Sequence, residues 1–162
     1  MIENPKIAII GAGPSGITAL KNLITNGFNA TCFEMNDQIG GNWVYQDKTG
    51  HSSVFKTTHI ISSKKFSEYT DFPMPDDYPD YPSGAELLAY FNSYVNKFNL
   101  KQHIKFNTKV IKAIPLENKW KLFFEDSSED FDYLIVANGH HWSPRIPTFE
   151  GEFSGELMHS HQ

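Results

Sequence analysis

Residues 11 to 16 read Gly-Ala-Gly-Pro-Ser-Gly, which places Gly11, Gly13 and Gly16 at the spacing Gly-x-Gly-x-x-Gly. In a strand-to-helix turn each glycine has its own role. Gly11 permits the tight turn, Gly13 lets backbone come close to a diphosphate, and Gly16 lets the helix lie against the sheet. The chemistry this offers is anion binding by backbone N–H groups at the positive end of a helix, with no lysine required. An acidic residue, Glu34, follows at the end of the next apolar run. There a carboxylate can accept both ribose hydroxyls of an adenosine, and it repels a 2′-phosphate. Met35 and Asn36 follow rather than an arginine, so the pattern favours FAD or NAD over NADP at this site.

The elements needed to hold these residues are legible on either side. Ile7 to Ile10 is a β-branched apolar run stopped by Gly11, as expected of a strand buried on both faces of a parallel sheet. Pro14 suits a first helical position, and Ile17, Leu20 and Ile24 then share one face until Asn26-Gly27. Phe28 to Phe33 predicts the second strand, so residues 1–34 form a βαβ dinucleotide unit. The stretch 35–103 is expected to be an irregular and helical insertion. Its segment Asp71 to Pro82, rich in proline, aspartate and aromatics, predicts a surface connection with its rings on the core, or alternatively a substrate-access wall. A helix is expected from Ser83 or Gly84 through Asn99, with Leu87, Leu88, Phe91, Tyr94, Val95 and Phe98 on its apolar face. Ile104 to Ile114, Lys119 to Phe124 and Tyr133 to Val136 predict a small antiparallel meander and a return strand over 104–139, with Asp126 to Asp130 as a polar turn. The chain then re-enters the core at Ala137-Asn138-Gly139.

Composition narrows the function classes. With 162 residues, 40% of them hydrophobic, the chain suffices for one packed domain. Its net charge of -5, with no basic stripe, argues against a nucleic-acid partner. The single cysteine, Cys32, forms no internal disulfide, and its mid-strand position predicts a buried, inert thiol; a cytoplasmic protein is the default expectation. No targeting segment, membrane-length apolar run or internal repeat is visible. His140, His141, His159 and His161 crowd the end of the chain without cysteine partners or helical zinc spacing, so no metal is expected. Ser15 lacks the Gly-x-Ser-x-Gly elbow, and hydrolysis is not indicated.

Gly40-Gly41-Asn42-Trp43 provides a second place where backbone can close on an extended cofactor, which favours the longer ligand, FAD. Taken together, GAGPSG, Phe33-Glu34 followed by IGGNW, SSK, DFPMPDDYP, ANGHHWSP and FSGELMHSH resemble the flavin-containing monooxygenases and their Baeyer-Villiger relatives. Phe153, Gly155 and His159 are similar to the F-x-G-x-x-x-H motif of that superfamily. The resemblance spans nearly the whole chain and implies an α/β, Rossmann-like FAD-binding domain: a parallel sheet with flanking helices and a small antiparallel β-meander. It implies that Gly11, Gly13, Pro14, Ser15 and Gly16 hold the diphosphate and Glu34 the ribose. Asn36, Asn42, Trp43 and His51 would lie along the flavin half, and Val110 would meet the adenine through its backbone. Gly41, Ala137 and Gly139 complete the expected cofactor-binding set, and no side chain is assigned a catalytic role.

In that family NADPH reduces the flavin, and one atom of O2 passes to a soft nitrogen or sulfur of a small-molecule substrate, or to a ketone in the Baeyer-Villiger branch. Its members are longer and carry a second glycine-rich unit for NADPH after the F-x-G-x-x-x-H motif. The resemblance therefore implies an N-terminal piece, with 140–162 as the start of a linker to an NADPH domain outside it, and with no oxygenase activity in isolation. Ile61 stands where the family usually has an asparagine facing the flavin, leaving His59, Ser62 or Ser63 to substitute. Two alternatives stay open: a flavoprotein oxidoreductase without oxygenation, and a non-catalytic FAD- or NAD-binding module. A homo-oligomer is compatible with either.

Overall fold

The computed structural model describes residues 4–45 and 53–159. Its centre is a four-stranded parallel sheet of order β3-β2-β1-β7, formed by β1 (Lys6–Ile10), β2 (Asn29–Phe33), β3 (Ile104–Lys105) and β7 (Tyr133–Val136). Side chains of β1 alternate between two cores. Ile7 and Ile9 face the helices, while Ala8 faces the other side with Phe33 of β2.

The helical side is covered by α1 (Pro14–Thr25) and α3 (Gly84–Lys97). α1 starts as its sequence predicts, with Gly13 at the N-cap and Pro14 in the first turn. α3 opens on a reciprocal capping box: the Ser83 hydroxyl accepts from the Glu86 amide, and the Glu86 carboxylate accepts from the Ser83 amide. Tyr90 and Tyr94 of α3 are fully buried, and the rings of Tyr69 and Phe72 pack on them with centroids 4.6–5.5 Å apart. The Pro-rich segment is thus a surface connection whose rings rest on the core, as expected for Phe72; Tyr81 instead lies exposed. A one-turn helix, α2 (Lys64–Ser67), precedes it.

The opposite face of the sheet is covered by an antiparallel meander of β4 (Lys112–Pro115), β5 (Trp120–Phe123) and β6 (Ser128–Phe131), which seats Leu122 and Phe131 against Ala8 and Phe33. Two expectations need correction here. Ile104 and Lys105 do not open the meander; they pair in parallel with Cys32 and Phe33 and extend the main sheet. Residues 128–130 are not a turn but an outer strand, polar because two of the three side chains face solvent while Phe131 supplies the inward anchor.

Candidate functional site

In an open parallel sheet, ligands settle outside the carboxyl ends of the strands where the order reverses direction. Here that point is β1, since β2 departs to one side and β7 to the other. The chain leaves β1 through Gly11, whose φ of +94° an L side chain rarely adopts; a Cβ there would stand 2.6 Å from the Ala137 carbonyl oxygen. Gly16 is more tightly held: its Cβ would lie 1.8 Å from the oxygen of Gly11, so helix and strand meet at this glycine as its spacing implied. Gly13 differs from both. A Cβ at Gly13 would find Gly41 Cα at 3.6 Å, an ordinary contact, so packing within the chain does not demand glycine there. The cradle is shaped for something else.

Glu34, at the end of β2, is the one buried charged residue among the described residues, 4% exposed. Its Oε2 accepts from the Ala12 amide at 2.8 Å and its Oε1 from the Asn36 amide at 2.9 Å. The backbone of Glu34 is fixed as well, donating to the Lys105 carbonyl and accepting from the Thr108 amide. Each carboxylate oxygen keeps a further acceptor site toward the cleft. Opposite, the Gly40 amide donates to the Ala12 carbonyl at 3.0 Å, and a turn of 3-10 helix at Gly41–Trp43 brings Asn42 and Trp43 to the same wall. From β7 the chain continues through Ala137, whose amide donates to the Ile10 carbonyl at 2.9 Å, and turns at Gly139 with the Trp142 indole N–H donating to the Asn138 carbonyl.

These segments enclose a cleft of about 710 Å³. Of the residues expected at a cofactor, Gly11, Gly13, Pro14, Ser15, Glu34, Asn36, Gly41, Asn42, Trp43, Val110, Ala137 and Gly139 all line it. Gly16 lies beneath, packing helix on strand, and His51 falls outside the described residues. Sequence reasoning missed Ile10, Phe33, Met35, Thr108, Lys109, Val136, Asn138, His140 and Trp142. The signal for Thr108 and Lys109 was Asn107, a left-handed residue that turns the chain under Glu34. Ile61 does not line the cleft and is 99% exposed. Of its neighbours, Ser62 shares a hydrogen bond with Ser67 and His59 Nδ1 lies 2.8 Å from the Tyr81 carbonyl oxygen.

The electrostatics suit an anionic, polyol-bearing ligand. α1 has no acidic residue in its first turn and no side-chain cap, so its amides point into the cleft as anion donors. Burial, and then the Glu34 carboxylate, push the Cys32 thiol up to about 12; it stays protonated and donates to the Gly11 carbonyl at 3.3 Å. Among the described residues no three His, Cys, Asp or Glu side chains converge on a metal position, and no helix is long and apolar enough to cross a membrane.

Comparison with known proteins gives this geometry a family. The family model described as flavin-binding monooxygenase-like matches residues 4–162. A dimethylaniline monooxygenase [N-oxide-forming] 2 of Macaca mulatta is 36% identical over 97% of this chain, which spans 32% of that relative's length. Among solved structures, Tmm from a Pelagibacter species superimposes with a TM-score of 0.80 at 32% identity, over 90% of this chain and 39% of that one. The S-allyl-L-cysteine S-oxygenase of Allium sativum does so with a TM-score of 0.82 at 25% identity, over 91% and 39%. Matched from its first strand to its last described turn, with its glycine loops and buried glutamate at one cleft, the chain belongs to the flavin-binding monooxygenase-like family.

Proposed function

We propose that the cleft holds FAD and that the whole protein uses it, with NADPH and O2, to oxygenate a soft nitrogen or sulfur of a small molecule. The observation that carries the reading is Glu34: buried, bonded to the amide that opens the glycine loop, and facing the same cleft as the start of α1. Its free lone pairs orient the ribose hydroxyls. The amides of Gly13, Ser15 and Gly16, Pro14 having none, take the diphosphate, close to backbone because Gly13 presents no Cβ. Met35 and Val110 flank the adenosine end, and Asn42 and Trp43 form the wall along which the flavin half extends. Thr58 is tied to that wall: the Gly84 amide donates to the Thr58 carbonyl, and Gly84 packs beside Trp43.

When bound, FAD supplies the electron and oxygen chemistry. The chain's own residues bind it and orient it. No second glycine-rich strand-to-helix unit occurs among the described residues, and no residue of this chain is assigned to NADPH. The amine and sulfur chemistry in the names of the Macaca and Allium proteins supports a soft heteroatom as substrate. A second reading, electron transfer without oxygenation, is favoured by one observation: the Ile61 side chain offers no hydrogen bond, and of its possible substitutes Ser62 and His59 are engaged with Ser67 and Tyr81, which leaves Ser63, at the N-cap of α2 with no side-chain cap bond.

The test has two stages. The purified chain is incubated with FAD, freed of unbound ligand, and its absorption spectrum taken; retained FAD is the expected result, and retention of NAD instead overturns the reading. The whole protein is then supplied with NADPH and a tertiary amine or a sulfide. An N-oxide or S-oxide is expected, whereas NADPH consumption that yields only hydrogen peroxide supports the second reading.

A further inference from the structure

Lys64 is the first residue of α2, and its ammonium carries three N–H donors. Three backbone carbonyls meet it: Tyr78 at 2.6 Å, Asp76 at 2.9 Å and Pro75 at 3.4 Å. Asp76, Asp77 and Asp80 lie in the same stretch, yet among the described residues Lys64 forms no ion pair with any of them. Its charge is committed to the curve of the backbone. The same residue's amide donates to the Asp80 carbonyl at 2.8 Å, and four residues earlier the Ile60 amide donates to the Pro82 carbonyl at 3.0 Å. Proline at 73, 75, 79 and 82 leaves this loop few amides of its own with which to satisfy its carbonyls. A cluster of carbonyl oxygens around one positive charge is the donor set of a monovalent-cation site, here filled by a side chain.

We propose that Lys64 is a positioning residue that acts as a built-in monovalent cation, gathering the carbonyls of Pro75, Asp76 and Tyr78 and thereby fixing the Ile60–Lys64 segment. The importance of that segment for the flavin rests on the reading under Proposed function, in which Thr58, just before the segment, is tied through Gly84 to Trp43. The clasp itself stands on the contacts alone. It also accounts for the Ser-Ser-Lys sequence, in which the serines turn the chain into α2 and the lysine locks it to the loop it faces.

Amide hydrogen exchange on the full chain tests this. In Lys64→Met, which keeps the stem and removes the donors, exchange at the amides of Ile60 and residue 64 is expected to rise about tenfold or more, while Ile9 and Leu20 keep their rates. Unchanged exchange at Ile60 and residue 64 overturns the proposal. Should Lys64→Met fail to fold, Lys64→Ala is refolded with and without methylammonium, which can enter the vacated cage; recovery only with the cation supports the clasp, and no recovery overturns it. The positioning role is read separately, in FAD-loaded protein. Lys64→Met should retain FAD while its visible bands move toward those of the free cofactor; bands identical to the parent's overturn that role. Failure of the parent chain itself to retain FAD counts against the functional reading, and the exchange result still decides the clasp.

Discussion

The Gly40 amide reaches across the cleft floor to the Ala12 carbonyl at 3.0 Å, so the two glycine loops are bonded to each other and form one continuous wall. A ligand that touches one loop is therefore positioned by both. The glycines in that wall serve different ends, and substitution separates them.

Gly16→Ala forces a methyl to within 1.8 Å of a backbone oxygen that cannot move aside, and is expected to destabilise the chain by about 3 kcal/mol, the upper part of the range for overpacking. Gly13→Ala meets only an ordinary contact at 3.6 Å and should leave the unfolding free energy within about 1 kcal/mol of the parent's while abolishing FAD retention. Urea denaturation and flavin absorbance together check the pair; a Gly13→Ala chain that binds FAD normally would count against a diphosphate at α1.

Glu34→Gln replaces an acceptor-only group with one that must turn an NH2 toward the amide of Ala12 or of Asn36. One buried donor then loses its partner. The expected cost is about 1–3 kcal/mol of stability together with a loss of FAD affinity, read by thermal melting and by fluorescence titration of FAD.

At the start of α3, hydrogen bonds from the Ser83 hydroxyl and amide hold the Glu86 carboxyl below its usual value of 4.5. The depressed pKa means the folded state favours the ionised form. That stabilisation is present above 4.5 and fades as pH falls through the lower, folded-state value. The melting temperature of Glu86→Gln should therefore trail the parent's near neutrality and converge with it in acid. Ser83→Ala should cost about 1 kcal/mol at neutral pH.

Burial pushes the hydroxyls of Tyr90 and Tyr94 up from 10 to about 12. Folding favours their neutral form, so this stabilisation is complete below pH 10 and drains away as pH rises toward 12. Tyrosinate absorbance should climb in two steps, the later one coinciding with loss of helical circular dichroism; a single step near 10 with the fold intact would show these rings to be solvated.

Much of this architecture was open to reading because its determinants are local. Gly11, Gly13, Gly16 and Glu34 act through turn geometry and strand-end position, and the structure brings Gly11, Gly13 and Glu34 to one cleft with Gly16 packed beneath it. β3 escaped because Ile104 and Lys105 are two residues, too few for a period, and their place beside β2 is a tertiary outcome. Ser128 to Asp130 read as a turn because an outer strand wet on its exposed face needs no apolar alternation until Phe131. Lys109, His140 and Trp142 reach the cleft only because β3 and β7 return the chain there, a relationship no local pattern encodes.

The hydrogen bond from Ala137 to Ile10 joins the first strand to the last, and it bears on synthesis. Translation proceeds at about 5–20 residues per second, so roughly ten seconds pass between the making of β1 and of its partner β7. Until then the edge of β1 that β7 will occupy has no strand beside it, while α1, β2 and later α3 supply the core around Ile7 and Ile9. The nascent βαβ unit is thus the stage of this protein's life most exposed to mispairing, and the stage at which an early-binding cofactor or a chaperone would have most to offer.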